Sequence, residues 1–394
     1  MEDIRNISIE QLEDFLVSIG EKKFRAKQIW SWLWQKGVGS FDEMTNISAA
    51  LRQQLANSFT FHRTVIAQEA HSKDKTAKFA FCLHDDKYVE GVLIPSGERV
   101  TACVSSQVGC PLGCTFCATG TMGFIRNMHY SEIVDEYVLM DRRARELYGN
   151  GISNIVFMGM GEPLLNFNNV MTAIDKLTSK DGWGLSPTRI TLSTAGIVKG
   201  IKALADRNFP CGLAVSLHSA DPAVRQVIMP VTDHNSLHDL QAALVYYHQK
   251  TGERITFEYL LLSKVNDTRQ AAEKLARYCR PFPVKINIIE YNETKDGLYH
   301  RSYPNQREEF IDYLKSCNMV VNVRQSRGQD IAAACGQLVK EEERLEIRDG
   351  ALNSNLWSPA SSLKSLDVCL YNKYGFVTAR YSSVYSFSSL RMIR

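Results

Sequence analysis

Cys110, Cys114 and Cys117 lie in one short loop, Cys110-Pro-Leu-Gly-Cys114-Thr-Phe-Cys117. Thiolates are soft ligands that suit iron–sulfur clusters and zinc. Three of them this close together can hold three corners of a [4Fe–4S] cube, which usually takes four cysteines. No fourth lies in the loop, so one iron would stay open to a small molecule. Zinc is the competing reading. It favours Cys-x2-Cys pairs with a second pair further on, and the chain offers no such second pair.

Other polar or glycine-bearing segments follow apolar runs. Asn154-Ile155-Val156-Phe157-Met158 leads into Gly159-Met160-Gly161-Glu162-Pro163. Glycine permits close backbone approach, and a carboxylate can pair with an ammonium group. Thr191-Leu192-Ser193-Thr194-Ala195-Gly196, Ala214-Val215-Ser216-Leu217-His218-Ser219 and Tyr291-Asn292 repeat the pattern of an apolar run with polar residues at its end. Taken singly, each is an ordinary turn or strand end.

These segments need a scaffold that points them at one place. The chain predicts strands at Arg99 to Ser106, Asn154 to Met160, Arg189 to Thr194, Gly212 to Leu217, Arg254 to Leu262, Val284 to Glu290 and Met319 to Arg324. Helical stretches lie between them, including Ser131 to Tyr148, Ile197 to Asn208, Leu237 to Lys250, Arg269 to Cys279 and Gln306 to Ser316. Repeated βα units imply an α/β fold, a parallel sheet with helices outside. The chemistry then belongs at the carboxyl ends of the strands, where the polar segments fall. Residues 62–98 read as a β-rich connector.

The first 61 residues read as a small helical module. Ser8 is a candidate N-cap for the helix that starts at Ile9. Lys22, Lys23, Arg25 and Lys27 lead into Gln28-Ile29-Trp30-Ser31-Trp32-Leu33-Trp34, where Ile29, Leu33 and Trp30, Trp34 recur at helical spacing. The tryptophans read as module core. The basic residues read either as a solvated face or as contacts to RNA phosphates. The 394 residues, net charge of +3 and ten cysteines suit a cytoplasmic enzyme. In a reducing compartment, clustered cysteines read as metal-binding or catalytic. The chain has no signal-peptide pattern and no apolar run long enough for a membrane span.

The Cys-x3-Cys-x2-Cys loop resembles the signature of the radical S-adenosylmethionine (SAM) enzymes. The resemblance implies that the open iron is chelated by the amino and carboxylate groups of SAM, and that SAM is cleaved to a 5′-deoxyadenosyl radical. It sharpens the fold to an incomplete (β/α)6-type barrel over 99–342. It also implies that Gly161 and Glu162 hold the methionine amino group, that Ser193, Ser216 and His218 contact SAM, and that Asn292 reaches its adenosine part.

Cys103, Cys335 and the segment Ser326-Arg327-Gly328-Gln329-Asp330 narrow the resemblance. Together with the cysteine loop, they resemble the radical SAM RNA adenine methyltransferases. That group includes a housekeeping enzyme that methylates C2 of adenine in 23S ribosomal RNA and transfer RNA, and an antibiotic-resistance relative that methylates C8. C2 is an electron-poor carbon that cannot attack a methyl donor directly. The resemblance implies a division of labour that uses two SAM molecules per turnover. Cys335 takes a methyl group, the derived methylene radical adds to adenine, and Cys103 resolves the adduct through a Cys103–Cys335 disulfide. Glu90 matches the acidic residue that takes the adenine proton. The expected partners are 23S rRNA, tRNA and an electron donor such as flavodoxin, with the protein acting as a monomer. Two alternatives stay open: C8 methylation, and an iron–sulfur RNA-binding protein without turnover, against which the extra cysteines argue. The chain departs from the family at Glu293, where proline is expected, and in an extension over 343–394 of unknown role.

Overall fold

The computed structural model describes residues 1–292 and 298–338. Residues 293–297, the expected barrel terminus 339–342 and the extension 343–394 lie outside the described residues.

The amino-terminal module runs through β1 (Glu2–Asp3), α1 (Ile9–Ser18), α2 (Phe24–Trp34), α3 (Ala49–Ser58) and β2 (Phe59–Thr60), with β1 and β2 paired in parallel. Ser8 caps α1 as expected and does so reciprocally. Its hydroxyl accepts from Gln11 N, and Gln11 Oε1 accepts from Ser8 N. Ile29, Leu33 and Trp34 are buried, so the helical spacing marks a core face. Trp34 also packs on Tyr130, with ring centroids 5.9 Å apart. Arg5 is held by Asp3 and by Asp135 at 2.6 Å, which ties the module to the barrel. Lys22, Lys23 and Lys27 are exposed, and Arg25 is half-buried over the ring of the exposed Phe24.

The stretch read as a connector is an antiparallel meander of β3 (Val65–His71), β4 (Ala77–Cys82) and β5 (Tyr88–Ser96), and it continues the main sheet. The reason is local. Only Gly97 and Glu98 separate β5 from β6 (Arg99–Cys103), and so short a link forces antiparallel neighbours.

After β6, a hairpin of β7 (Gln107–Gly109) and β8 (Phe124–Asn127) brackets the cysteine loop and the short helix α4 (Ala118–Thr121). The remaining elements alternate: α5 (Tyr130–Tyr148), β9 (Asn154–Phe157), α6 (Phe167–Thr178), β10 (Ile190–Thr194), α7 (Val198–Asp206), β11 (Gly212–Ser216), α8 (Pro222–Ile228), α9 (Leu237–Thr251), β12 (Ile255–Leu261), α10 (Arg269–Tyr278), β13 (Val284–Glu290), α11 (Pro304–Ser316) and β14 (Val320–Arg324). Strands β6 and β9 to β14 are all parallel, in the order β14-β13-β12-β11-β10-β9-β6, with β5, β4 and β3 following antiparallel. Among the described residues the row has two ends and does not close, which agrees with the expected incomplete barrel. It carries a seventh parallel strand beyond the six-unit repeat. Two strands stop three residues earlier than predicted. β6 ends at Cys103 and β9 at Phe157, because the chain leaves the ladder there to form the site.

Candidate active site

The cysteine loop is built against the carboxyl ends of the strands. Cys110 N donates to Gly123 O at 2.9 Å, which closes the hairpin base, and Thr115 N donates to Ile228 O at the end of α8. Cys110, Cys114 and Cys117 all line one cavity. The same cavity is lined by Gly161, Glu162, Ser193, Ser216 and His218, which come from the ends of β9, β10 and β11. Tertiary structure thus joins residues 108 positions apart, Cys110 and His218.

Gly161, Glu162 and His218 are each held in a defined state. Gly161 has φ +96°, and a Cβ there would lie 2.4 Å from the Gln107 Cβ, so glycine alone fits. Glu162 is buried. Its Oε1 accepts from Leu164 N at 3.0 Å and its Oε2 from Ala195 N at 2.7 Å. Burial outweighs these bonds and pushes its carboxyl up to about 7. A cation bound beside it would restore the charge. His218 is buried at φ +54°. Its Nδ1 accepts from Leu260 N at 3.0 Å, so its proton sits on Nε2. Burial, with Arg225 nearby, drops it to about 3. His218 therefore enters the cavity wall as a neutral ring, packed edge-on against Phe116 at 4.9 Å.

A second cavity lies beside the first. It is lined by Val92, Ile94, Cys103, Met158, Arg327 and others. Cys335, Arg324, Met158 and Ile289 line both cavities. Cys103 is buried and Cys335 exposed, and both are free thiols. Burial, then the Cys335 charge, pushes the Cys103 thiol well above the usual range.

The Cys335 loop is tied down from three sides. Asp330 accepts from Ser72 Oγ at 2.6 Å and Lys73 N at 3.1 Å, and Asp74 accepts from Gly328 N at 3.0 Å. Ala118 N, just past the cluster loop, donates to Gly336 O at 2.8 Å. Asn292 is buried against this loop. It accepts from Gln329 Nε2 at 2.9 Å and donates to Cys335 O at 3.5 Å. Asn292 does not line the cavity shared by the cysteines and His218.

Glu90 lies on β5, buried, two residues before Val92 and on the same face. It lines neither cavity. Lys78 Nζ stands 3.0 Å from Glu90 Oε1, and Val92 is paired with Cys103 across the β5–β6 ladder.

Sequence reading missed four supporting residues. Arg225 is fully buried and spends its guanidinium on Ala195 O at 2.6 Å, Leu217 O at 3.1 Å and Thr232 Oγ1 at 2.8 Å. It clamps together the strand ends that carry Ser193 and His218. Asn166 donates to Ser106 O and Met128 O, joining the two sides of the cluster hairpin. Lys78 and Arg324 complete the set. A lone arginine, lysine or asparagine has no spacing signature, so only the fold reveals these roles.

The three cysteines have the soft donor chemistry of an iron–sulfur cluster, and a buried carboxylate and neutral imidazole share their cavity, which fits the cofactors of a radical SAM enzyme. The Radical SAM superfamily model matches residues 104–276. That superfamily uses a [4Fe–4S] cluster and SAM. The model described as the ribosomal RNA large subunit methyltransferase N-terminal domain matches residues 2–60.

A probable dual-specificity RNA methyltransferase RlmN of Christiangramia forsetii is 48% identical over 339 residues, covering 86% of this chain and 96% of the relative. The dual-specificity RNA methyltransferase RlmN of Nitratidesulfovibrio vulgaris is 46% identical, covering 87% and 96%. A radical SAM methyltransferase from Sphaerobacter thermophilus of known structure superposes with a TM-score of 0.81 at 37% identity, covering 86% of this chain and 99% of that one. The chain belongs to the RlmN family of radical SAM RNA methyltransferases. Among the described residues, no helix is long and apolar enough to cross a membrane.

Proposed function

We propose that this protein methylates C2 of adenine in 23S ribosomal RNA and in transfer RNA through a methyl-cysteine intermediate. The observation that supports this reading is that Cys335 lines both cavities, one with Cys110, Cys114 and Cys117 and the other with Cys103. A plain RNA-binding protein needs neither extra thiol.

In this reading Cys110, Cys114 and Cys117 hold the cluster. Gly161, Glu162, Ser193, Ser216 and His218 hold SAM, and Asn292, bonded to the Cys335 loop beside that cavity, serves the adenosine side from there. When bound, the cluster and SAM supply a methyl group and a hydrogen-abstracting radical. Cys335 accepts the methyl group, and its sulfur later carries the methylene that joins adenine C2. Glu90, which pairs with Lys78, accepts the proton that leaves C2. Cys103 then attacks the Cys335 sulfur and frees methyladenine, an exchange-type step at sulfur that a thiolate performs. The electron donor is a reductant such as flavodoxin, and the protein works as a cytoplasmic monomer.

Mass spectrometry of digested ribosomal and transfer RNA tests this. Incubation with the reconstituted protein, SAM and reductant should yield 2-methyladenosine in both RNAs. Only 8-methyladenosine, or no methylated adenosine, would overturn the assignment.

The exposed Lys22, Lys23 and Lys27, with Arg25, belong to the RNA-facing side in this reading. Replacing all four with Ala or Gln should weaken RNA binding and lower the slope of log K against log salt. The slope should fall by about 3 if each meets one phosphate of a single-stranded region. SAM cleavage without RNA should survive. An unchanged affinity and slope would return the four to a plain solvated face.

A further inference from the structure

Arg324 is the charged side chain common to both cavities among the described residues. A polar ladder fixes it. Glu258 on β12, Asn287 on β13 and Asn322 on β14 stand side by side in register. Asn287 Nδ2 donates to Glu258 Oε1 at 2.8 Å, and Asn322 Nδ2 donates to Asn287 Oδ1 at 3.4 Å. Arg324 lies two residues beyond Asn322 on the same face, and its Nη1 reaches Glu258 Oε2 at 3.1 Å. Nη1 also approaches Met158 Sδ at 3.6 Å. The guanidinium is thus anchored on Glu258, and the same side chain lines the cavity that holds Cys103 and Cys335.

We propose that Arg324 is a positioning residue for the release step, holding positive charge beside Cys103 so that this buried sulfur reacts as a thiolate. The proposal rests on the two-cysteine reading above. In that step a Cys103 lone pair forms the S–S bond to Cys335 and the S–CH2 bond of the adduct breaks. The bonding pair stays on carbon, which takes a proton from solvent and becomes the methyl group. The two sulfurs are together oxidised by two electrons, and the carbon is reduced by two.

The surroundings of Cys103 show why a cation is needed. Burial opposes its ionisation most strongly, and the Cys335 charge adds to that. Glu136 on α5 faces the same region. Burial pushes its own carboxyl well up, and what charge it carries also opposes the Cys103 thiolate. The backbone N–H of Met158 and Arg324 are the groups that favour the thiolate. Strand β5 contributes Glu90, whose charge is matched by Lys78. Opposite Cys103, β9 presents Val156, which does not titrate. Arg327 lines the same cavity but is exposed, so water screens it.

The test uses full-length, cluster-loaded protein under anaerobic conditions. Its first readout needs no turnover. In a Cys335→Ala background, Cys103 is pulse-labelled with methyl methanethiosulfonate across pH 6 to 10 and quantified by peptide mass spectrometry. Adding Arg324→Met should slow labelling by about tenfold at every pH in that window, the effect of moving the thiol midpoint up by about one pH unit. Arg324→Lys should keep most of the wild-type profile. Arg327→Met should move it less than Arg324→Met does.

The second readout keeps both cysteines. Arg324→Met alone should accumulate an RNA–protein adduct that resolves faster as pH rises. Iron content and RNA-free SAM cleavage report on folding, and Arg324→Gln replaces the Met variant if iron is lost. An unchanged labelling profile with no adduct, or an equal shift in Arg327→Met, overturns the role of Arg324. If Cys103→Ala itself yields no adduct, the two-cysteine reading fails, while the labelling arm still judges whether Arg324 supports the Cys103 thiolate.

Discussion

Cys103→Ala protein should stall with RNA covalently attached through Cys335. The expectation follows from the division of labour between two thiols that lie 232 positions apart in sequence and line one cavity. Without Cys103, methyl transfer to Cys335 and addition to adenine remain possible, but no thiolate is present to attack the adduct sulfur. Turnover should fall to background. A denaturing gel should show a nuclease-sensitive band of higher mass, and mass spectrometry should place the adduct on the Cys335 peptide. Cys335→Ala should fail differently, with no methylated protein and no adduct, and the double variant should match it. If both single variants lose activity without an adduct, or if Cys335→Ala still methylates RNA, the two-thiol route is wrong for this chain. The cluster assignment would survive that result.

The second large effect concerns the cluster. Replacing any one of Cys110, Cys114 or Cys117 with Ala should abolish SAM cleavage and strip most of the iron from an anaerobic preparation that otherwise holds about four irons per chain. Each thiol is at least half-buried in the same cavity wall. An iron released from one of them has no spare thiol in the loop to bind. Cys103 lines only the second cavity, and Cys335, which borders both, is the methyl carrier, so neither should substitute. Iron and electron paramagnetic resonance measurements on each variant check this. Stoichiometric zinc with no iron in the unaltered protein would defeat the assignment.

The two effects separate by readout. A cluster variant should cleave no SAM under any condition. Cys103→Ala should still cleave SAM and should fail only after RNA has been captured. Arg324→Met belongs with the second group, because its expected defect lies in resolution and responds to pH.

Much of the site was legible in the chain because its signals are local. The spacing of Cys110, Cys114 and Cys117 places three thiols in one loop whatever the fold around them, since eight residues span only a short distance. The run from Asn154 into Gly159 and Glu162 marks a strand end by its switch from apolar to glycine-bearing residues. The alternation of strands and helices predicts the parallel sheet, because parallel neighbours need long crossovers. Resemblance, rather than spacing, joined Cys103 to Cys335.

Other features were decided only by tertiary structure. The segment 62–98 looked like a connector because a meander that extends a sheet and one that stands apart have the same local pattern. Pairing of β5 with β6 decides between them. Asn292 stands at a strand end like Ser193 and His218, yet its side chain turns to the Cys335 loop, where Gln329 meets it. Arg225 and Arg324 look like any surface arginine in the sequence. Folding buries the first among carbonyl groups and anchors the second on a ladder of three strands. The chain by itself determined which residue types could do the chemistry and the order in which the strands would present them. Only the three-dimensional packing decided which of them share a cavity and which charges stand beside them. Side-chain spacing along a strand is set by covalent geometry, whereas contact across strands depends on register and closure that no short stretch of sequence encodes.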